Sequence, residues 1–223
     1  MTAIRDTAYL TSIEIAREKG AFPGFDKIKY GASPFVLGLS HELQDGMIAR
    51  IYLFIDFLDL MRQAGYWPIA PSLGREMLWL PPRTHDGVIL SAQDDRISQA
   101  SIERVLRMHS ALGQDDGLPP TRVGLDKMGM VKHWHPNFLW YGAAGIGTTR
   151  GLCGFEDFHQ IPFLVAFPDR QGTEIGHFIR IGDGNYVVTG GWGYLQATHT
   201  GNDFLGLPAT GKRVAMRVMD FYR

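Results

Sequence analysis

The chain has 223 residues, 45% of them hydrophobic, and a mean hydropathy of -0.09, which fits a globular protein with a sizeable core. Its 22 basic and 23 acidic residues leave a net charge of -1, so composition indicates no basic surface for nucleic acid. The longest apolar run, near 51–60, contains Asp56 and Asp59 and is too short and too charged to span a membrane.

The first part of the chain predicts two helices and one strand. Apolar residues at helical spacing predict a helix over 7–19, and residues 24–45 are expected to be irregular. A run of β-forming residues predicts a strand over 47–55. A short helix over 56–65 follows, closed by its terminal glycine.

Residues 66–95 show little periodicity and several turn-forming prolines. The clearest of these prolines are Pro68, Pro71, Pro81 and Pro82. This pattern indicates a linker or an arm that wraps over the rest of the protein. Its apolar residues have no core of their own, so the arm must pack on another surface to be stable.

The second half predicts helices followed by a run of strands. The helices are expected over 98–112, 121–130 and 154–167. The strands are expected over 134–141, 174–182, 185–199 and 212–222. Helices first and antiparallel strands afterwards indicate an α+β protein.

Two features of the sequence concern the compartment. The N-terminal residues 1–6 lack the apolar stretch of a signal peptide. Cys153 is the single cysteine, which excludes an intrachain disulfide and a thiolate metal cluster. We therefore expect a cytoplasmic protein that contacts neither nucleic acid nor membrane.

His133 and His135 are the strongest candidates for a metal site, because they point to one side of an extended chain. A third ligand would have to come from His159, His177 or His199. The alternative is a polar start of a strand, and the sequence favours it. We expect no bound metal and no cofactor.

The last strand carries a carboxylate on an apolar face. Alternation puts Asp220 on the same side as Val214, Met216 and Val218. Burial there would raise the pKa of Asp220 toward the range useful for general acid–base catalysis. The alternative is that the opposite face is the core and Asp220 is solvated, which the arginines on that face oppose.

The strand before it carries aromatic residues and ends in a histidine. Alternation puts Trp192 and Tyr194 on one side, and the glycines around them suggest a bent strand that curls around a pocket. His199 at the strand end is a candidate for titration near neutral pH. A turn residue with a satisfied hydrogen bond is the equally weighted alternative for His199.

Four segments resemble the SnoaL-like polyketide cyclase and predicted ester cyclase family of the NTF2-like superfamily. They lie at 140–151, 163–170, 198–212 and 219–223. The resemblance implies a cone-shaped α+β fold with a strongly curved antiparallel sheet, often dimeric, and cofactor-free ring closure by aldol chemistry. It also implies an acid/base role for Asp220, in Met-Asp-Phe-Tyr-Arg, and a catalytic role for His199, in Thr-His-Thr-Gly.

The order of the segments departs from the family. The strand and helix that normally follow Asp-Phe-Tyr-Arg resemble residues 45–65, which come first here. Either the domain is permuted or residues 51–95 are the tail of an earlier repeat. We expect residues 47–56 to pair antiparallel with 212–222, within the chain or by exchange in a homodimer.

These resemblances divide the chain into three parts: a helical extension over 1–43, a strand, helix and arm over 44–95, and the main SnoaL-like domain over 96–223. A second resemblance covers residues 5–50, which are similar to part of an adenosylcobalamin-dependent ribonucleotide reductase. Reductase chemistry is excluded, because Cys153 cannot supply the several cysteines that it needs.

We weigh two functions. The first is an enzyme that performs acid/base chemistry on a small, partly apolar carbonyl or ester compound, with Asp220 and His199 as its catalytic residues. The residues expected to bind its substrate are Trp140, His159, His177, Trp192, Tyr194 and Tyr222. The second is a non-catalytic NTF2-like module for ligand binding or dimerisation.

Overall fold

A computed structural model describes residues 37–76, 78, 80, 84, 86, 91–113, 117–173, 176–201 and 204–223. The helix expected over 7–19 lies outside these residues. Most of the segment that resembles the ribonucleotide reductase lies outside them as well.

The described residues form short helices and antiparallel strands. The strands are β1 (Leu37–Gln44), β2 (Met47–Ile55), β3 (Leu139–Tyr141), β4 (Thr148–Arg150), β5 (Gln171–Gly172), β6 (Ile179–Asp183), β7 (Tyr186–Thr198) and β8 (Arg213–Tyr222). The α-helices are α1 (Phe57–Gln63), α2 (Asp95–Leu112), α3 (Arg122–Leu125), α4 (Gly151–Phe155) and α5 (Ile161–Ala166). A π-helix, Glu156–Gln160, joins α4 to α5, and two 3₁₀ turns, Asp126–Met128 and Met130–Lys132, follow α3.

The main sheet is organised around β7. Strand β8 pairs with one edge of β7 along most of its length, while β6 and β5 pair with different parts of the other edge. All of these pairings are antiparallel. Helices combined with antiparallel sheets confirm the expected α+β class.

Helix α2 packs against this sheet and forms a core with it and with the helices and turns at 122–132 and 161–166. Its N-cap, Asp94, accepts a hydrogen bond from the Arg96 amide at 2.8 Å, which satisfies one of the free donors of the first turn. Val105 and Met108 of α2 are buried against Val187 of β7. The burial of this apolar stripe sets the distance between the helix and the inner face of the sheet.

The pairing expected between residues 47–56 and 212–222 is wrong within the chain. Strand β2 instead pairs with β1 in a hairpin, from Leu37 opposite Ile55 to Gln44 opposite Met47. Asp45 and Gly46 both have positive φ, as a tight two-residue hairpin turn requires. Residues 37–44 are therefore a strand, although they were expected to be irregular and mostly part of a helical extension.

The hairpin has one packed face and one exposed face. Tyr52 and Phe54 pack on Trp192 of β7, with ring centroids 5.7 and 5.2 Å away. The opposite face carries aliphatic side chains that are between 37% and 71% exposed. They are Met47, Ile51, Leu53 and Ile55.

The arm over 66–80 packs on its own chain. Arg75 exchanges backbone hydrogen bonds with Thr148 at 2.9 Å in both directions, so the arm adds to the edge of β4. Glu76 accepts a hydrogen bond from the Gly145 amide at 2.8 Å, and the Tyr141 hydroxyl donates to the Leu80 carbonyl at 2.6 Å. These contacts hold the described part of the arm on its own chain, while Leu73 and Leu80 stay more than half exposed.

No helix among the described residues has the length and apolar character needed to cross a membrane.

The expected homodimer stays a prediction, and the exposed face of β2 is where we expect the contact. Exposed aliphatic side chains are unfavourable in water, and a second copy of the chain that covered this face would bury them. We expect light scattering at micromolar concentration to show a dimer and Ile51→Glu to convert it to a monomer. Val131→Glu, at a residue 72% exposed outside the hairpin, is the control that should remain dimeric. A wild-type monomer would contradict the prediction.

Candidate functional site

An open cavity of about 2330 Å³ lies between α2, the 133–144 segment, the π-helix and strands β7 and β8, and its lining includes residues from both faces of β8. It exceeds the roughly 300–1,000 Å³ of most small-molecule sites, so it has room for a ligand together with water. Six of the eight residues that the sequence proposed for a site line it, namely Asp220 and five others. The five others are Trp140, His159, His177, Tyr194 and Tyr222.

Asp220 lies on the inner face of β8, as strand alternation predicts. It is opposite Thr189, which is fully buried on the inner side of β7. Burial raises the pKa of Asp220 to about 6, and a hydrogen bond with Tyr222 opposes that rise. At neutral pH Asp220 is therefore a carboxylate that takes up a proton more readily than an exposed one.

Tyr222 connects Asp220 to α2. Its hydroxyl lies 2.8 Å from Nε2 of His109 and hydrogen-bonds with Asp220. Burial, and then the nearby carboxylate of Asp220, raises the pKa of Tyr222, so the phenol keeps its proton at neutral pH. The phenol carries one proton, so when it donates that proton to the Asp220 carboxylate it accepts a hydrogen bond from the Nε2–H of His109.

His177 is the fourth residue of a polar cluster that also contains Asp220, Tyr222 and His109. Its ring centroid lies 4.3 Å from that of His109 and 4.3 Å from that of Tyr194. Burial lowers the pKa of each histidine to about 4, with the exposed Arg180 adding to the effect, so both imidazoles are neutral at pH 7. Ligand atoms of His109, His177 and Asp220 all lie within 4.8 Å of one another.

Two aromatic rings, from Trp140 and His159, form a wall of the cavity where it is lined by β3 and the π-helix. The rings of His159 and Trp140 are stacked, with centroids 4.3 Å apart. Burial lowers the pKa of His159 to about 4, and its Nδ1 atom is buried without a hydrogen-bond partner. This wall offers a ligand a flat apolar surface.

Trp192 does not line this cavity, unlike the other aromatic residues proposed to bind substrate. A bulge in β7 places Trp192 opposite Arg217 and the next paired residue, Leu195, opposite Met216. The bulge breaks the simple alternation, so Tyr194 faces inward while Trp192 faces outward under the hairpin. Gly193, inside the bulge, has a φ of +85°, a conformation that glycine adopts without strain.

His199 is also outside the cavity, so the structure does not bring it to Asp220. It is buried near the ring of Phe167, and its backbone amide bonds to the Lys212 carbonyl at 3.0 Å. Thr198 pairs with Arg213 at the opposite end of β8 from Asp220. At ~3.3 Å per residue these ends are about 23 Å apart.

The histidine pair at 133 and 135 is not on a strand. Strand β3 begins only at Leu139, and His135 accepts a hydrogen bond from the Asn137 amide at 3.1 Å in a turn. Trp134, between the two histidines, packs on Phe138 and Phe155. Among the described residues, the histidines that approach a carboxylate are His109 and His177 instead.

His109 was missed by the sequence interpretation, although a signal for it existed. It follows Met108 and lies four residues after Val105, so it falls on the apolar stripe of α2. A polar residue on an apolar stripe is the same signal that pointed to Asp220 on β8. When this signal is sought in helices as well as strands, it identifies both His109 on α2 and Asp220 on β8, the two residues that Tyr222 connects.

Comparisons with protein-family models, with curated proteins and with solved structures found no match for this chain. The SnoaL-like relationship therefore stays a prediction from the quoted segments.

We predict that His159 makes the fold less stable in acid. Its folded pKa of about 4 lies below the ordinary 6.5, so the unfolded chain binds the proton more tightly and stability falls from pH 6.5 toward 4. The loss is at most about 3 kcal/mol, from 1.36 kcal/mol per pKa unit. His159→Phe keeps a ring against Trp140 and removes the titration, so its unfolding free energy, measured with urea, should depend less on pH in that range. An equal slope in both proteins would contradict this.

Proposed function

We propose that the cavity binds a small, partly apolar carbonyl or ester compound and that Asp220 transfers a proton to and from it. The observation that carries this proposal is Asp220 itself, in the cavity wall with its pKa raised to about 6. Burial raises that pKa, and no cation among the described residues is found to offset it. Such a carboxylate is suited to act as a general base at neutral pH.

The proposed step is removal of a proton from the carbon beside the carbonyl. The C–H bond breaks, the proton goes to Asp220, and the electron pair moves to the carbonyl oxygen as an enolate. Neutral His177 is the residue whose N–H is available to stabilise that oxygen, while Tyr222 and His109 hold Asp220 in place. Return of the proton, or attack of the enolate on a second carbonyl, completes an isomerisation or a ring closure.

The proposal includes the cone-shaped SnoaL-like fold. Support comes from Asp220 and Tyr222 of the Asp-Phe-Tyr-Arg segment, which lie on the inner face of β8, and from a cavity between this sheet and α2. Histidines beside Asp220 come from α2 and from the residues before β6, so we assign the partner role to His109 and His177 rather than to His199.

The cavity argues for ligand entry. The competing role as a closed dimerisation module would need the pocket to be filled by Phe163, Trp192 and Met216. Phe163 and Met216 line the cavity without filling it, and Trp192 lies on the outer face of the sheet.

We predict that the protein exchanges hydrogen for deuterium at the carbon between the carbonyls of a 1,3-dicarbonyl or β-keto ester probe. NMR in D₂O measures this step directly. The rate above background should rise with pH through about 6, because the base is active when Asp220 is deprotonated. Asp220→Asn should lower it by about 10²- to 10⁴-fold, since the amide cannot accept the proton.

His199→Gln is the matched control for this experiment, because His199 is buried outside the cavity and its replacement should leave the rate unchanged. Exchange that is equally fast in Asp220→Asn would exclude Asp220 as the base. Saturable binding of the probe without any exchange in the wild type would overturn the enzyme proposal in favour of a binding module.

A further inference from the structure

We propose that His109, His177 and Asp220 form a binding site for one divalent transition-metal ion, with Zn²⁺ as the type case. The three residues come from α2, from the segment before β6 and from β8. The sequence indicated no such site, because none of the three is near another in the chain. The inference goes beyond the proposed proton transfer and stands on the geometry of the cluster alone.

The ligand set has the right chemistry. Two imidazoles and one carboxylate are a common protein ligand set for Zn²⁺ and for Fe²⁺ in open sites. Bonds of about 2.1 Å place tetrahedral ligand atoms about 3.4 Å apart. In this protein the three ligand atoms lie within 4.8 Å of one another. Side-chain rotations that move these atoms by about an ångström would bring them to the spacing found around a bound ion.

The free nitrogens of both histidines support this assignment. Nδ1 of His109 and Nδ1 of His177 are buried and have no hydrogen-bond partner. Nε2 of His109 is held by the Tyr222 hydroxyl at 2.8 Å, so Nδ1 is the nitrogen left for an ion. A histidine whose second nitrogen is hydrogen-bonded is the usual arrangement of a metal ligand, because that bond orients the ring.

The charge around the cluster also suits a cation. Asp220 supplies one negative charge inside the cavity. Arg180, whose Nε donates to the His177 carbonyl at 2.8 Å, acts on both histidines, and it is exposed, so solvent screens its repulsion. The cavity side of the cluster leaves room for a fourth ligand such as water or a small anion.

A bound ion would occupy the carboxylate oxygens that the proposed proton transfer uses. Zn²⁺ and the proton therefore compete for Asp220, and we expect Zn²⁺ to inhibit the exchange reaction.

The test is direct metal binding by the full-length protein after removal of metals with a chelator. Isothermal titration with Zn²⁺ should show one ion per chain, and Co²⁺ should give visible absorption bands of a nitrogen- and oxygen-coordinated ion. His177→Ala and Asp220→Asn should each weaken binding at least 100-fold. Tyr222→Phe should weaken it about 10- to 100-fold, because it removes the bond that orients His109.

His41→Gln is the control, since that exposed histidine of β1 lies outside both the cluster and the cavity and its loss should not change binding. Circular dichroism checks that each variant is folded. Absence of Zn²⁺ binding by the wild type, or equal binding by folded His177→Ala and Asp220→Asn, would overturn the proposal. Because the readout is binding, either result leaves the exchange experiment with Asp220→Asn to decide the proposed function separately.

Discussion

The positions of the cavity residues depend on the antiparallel pairing of β7 with β8 and on helix α2, which packs over these strands. Pairing fixes which side chains of the two strands share a face, and the apolar stripe of α2 covers that face. Asp220 and Tyr222 are then held under a helix, where polar groups are stable only with partners. The bond between Tyr222 and His109 supplies one such partner and joins the polar cluster to the helix that covers it.

Local periodicity predicted the parts of the site that follow regular geometry. The inward position of Asp220 follows from alternation on β8, which is free of bulges near that residue. Alternation failed on β7, because it does not show where a bulge inserts extra residues, and the error moved Trp192 to the wrong face. The glycines around Trp192 suggested bending, but not which side chain the bend would turn inward.

The other wrong predictions from the sequence concern which elements lie close together in the fold. They do not concern whether those elements form. Strand β2 and helix α1 lie close to their expected positions, yet β2 pairs with β1, because a strand pattern does not specify its partner. His199 was correctly placed at a strand end, but the length of β8 separates it from Asp220. His109 and His177 approach Asp220 only through packing of α2 on the sheet, which no local pattern contains.

The polar cluster has more hydrogen-bonding capacity than the protein uses. A buried donor or acceptor without a partner costs about 1–3 kcal/mol, and the Nδ1 atoms of His109, His177 and His159 are all in this state. The three residues all line one cavity that is larger than a single small ligand. Anything that satisfies these nitrogens recovers part of that free energy, whether it is water, an enolate oxygen or a metal ion. Binding at this cluster is therefore favoured by groups that the fold leaves unpaired, while the aromatic wall of Trp140 adds apolar contact for a carbon skeleton.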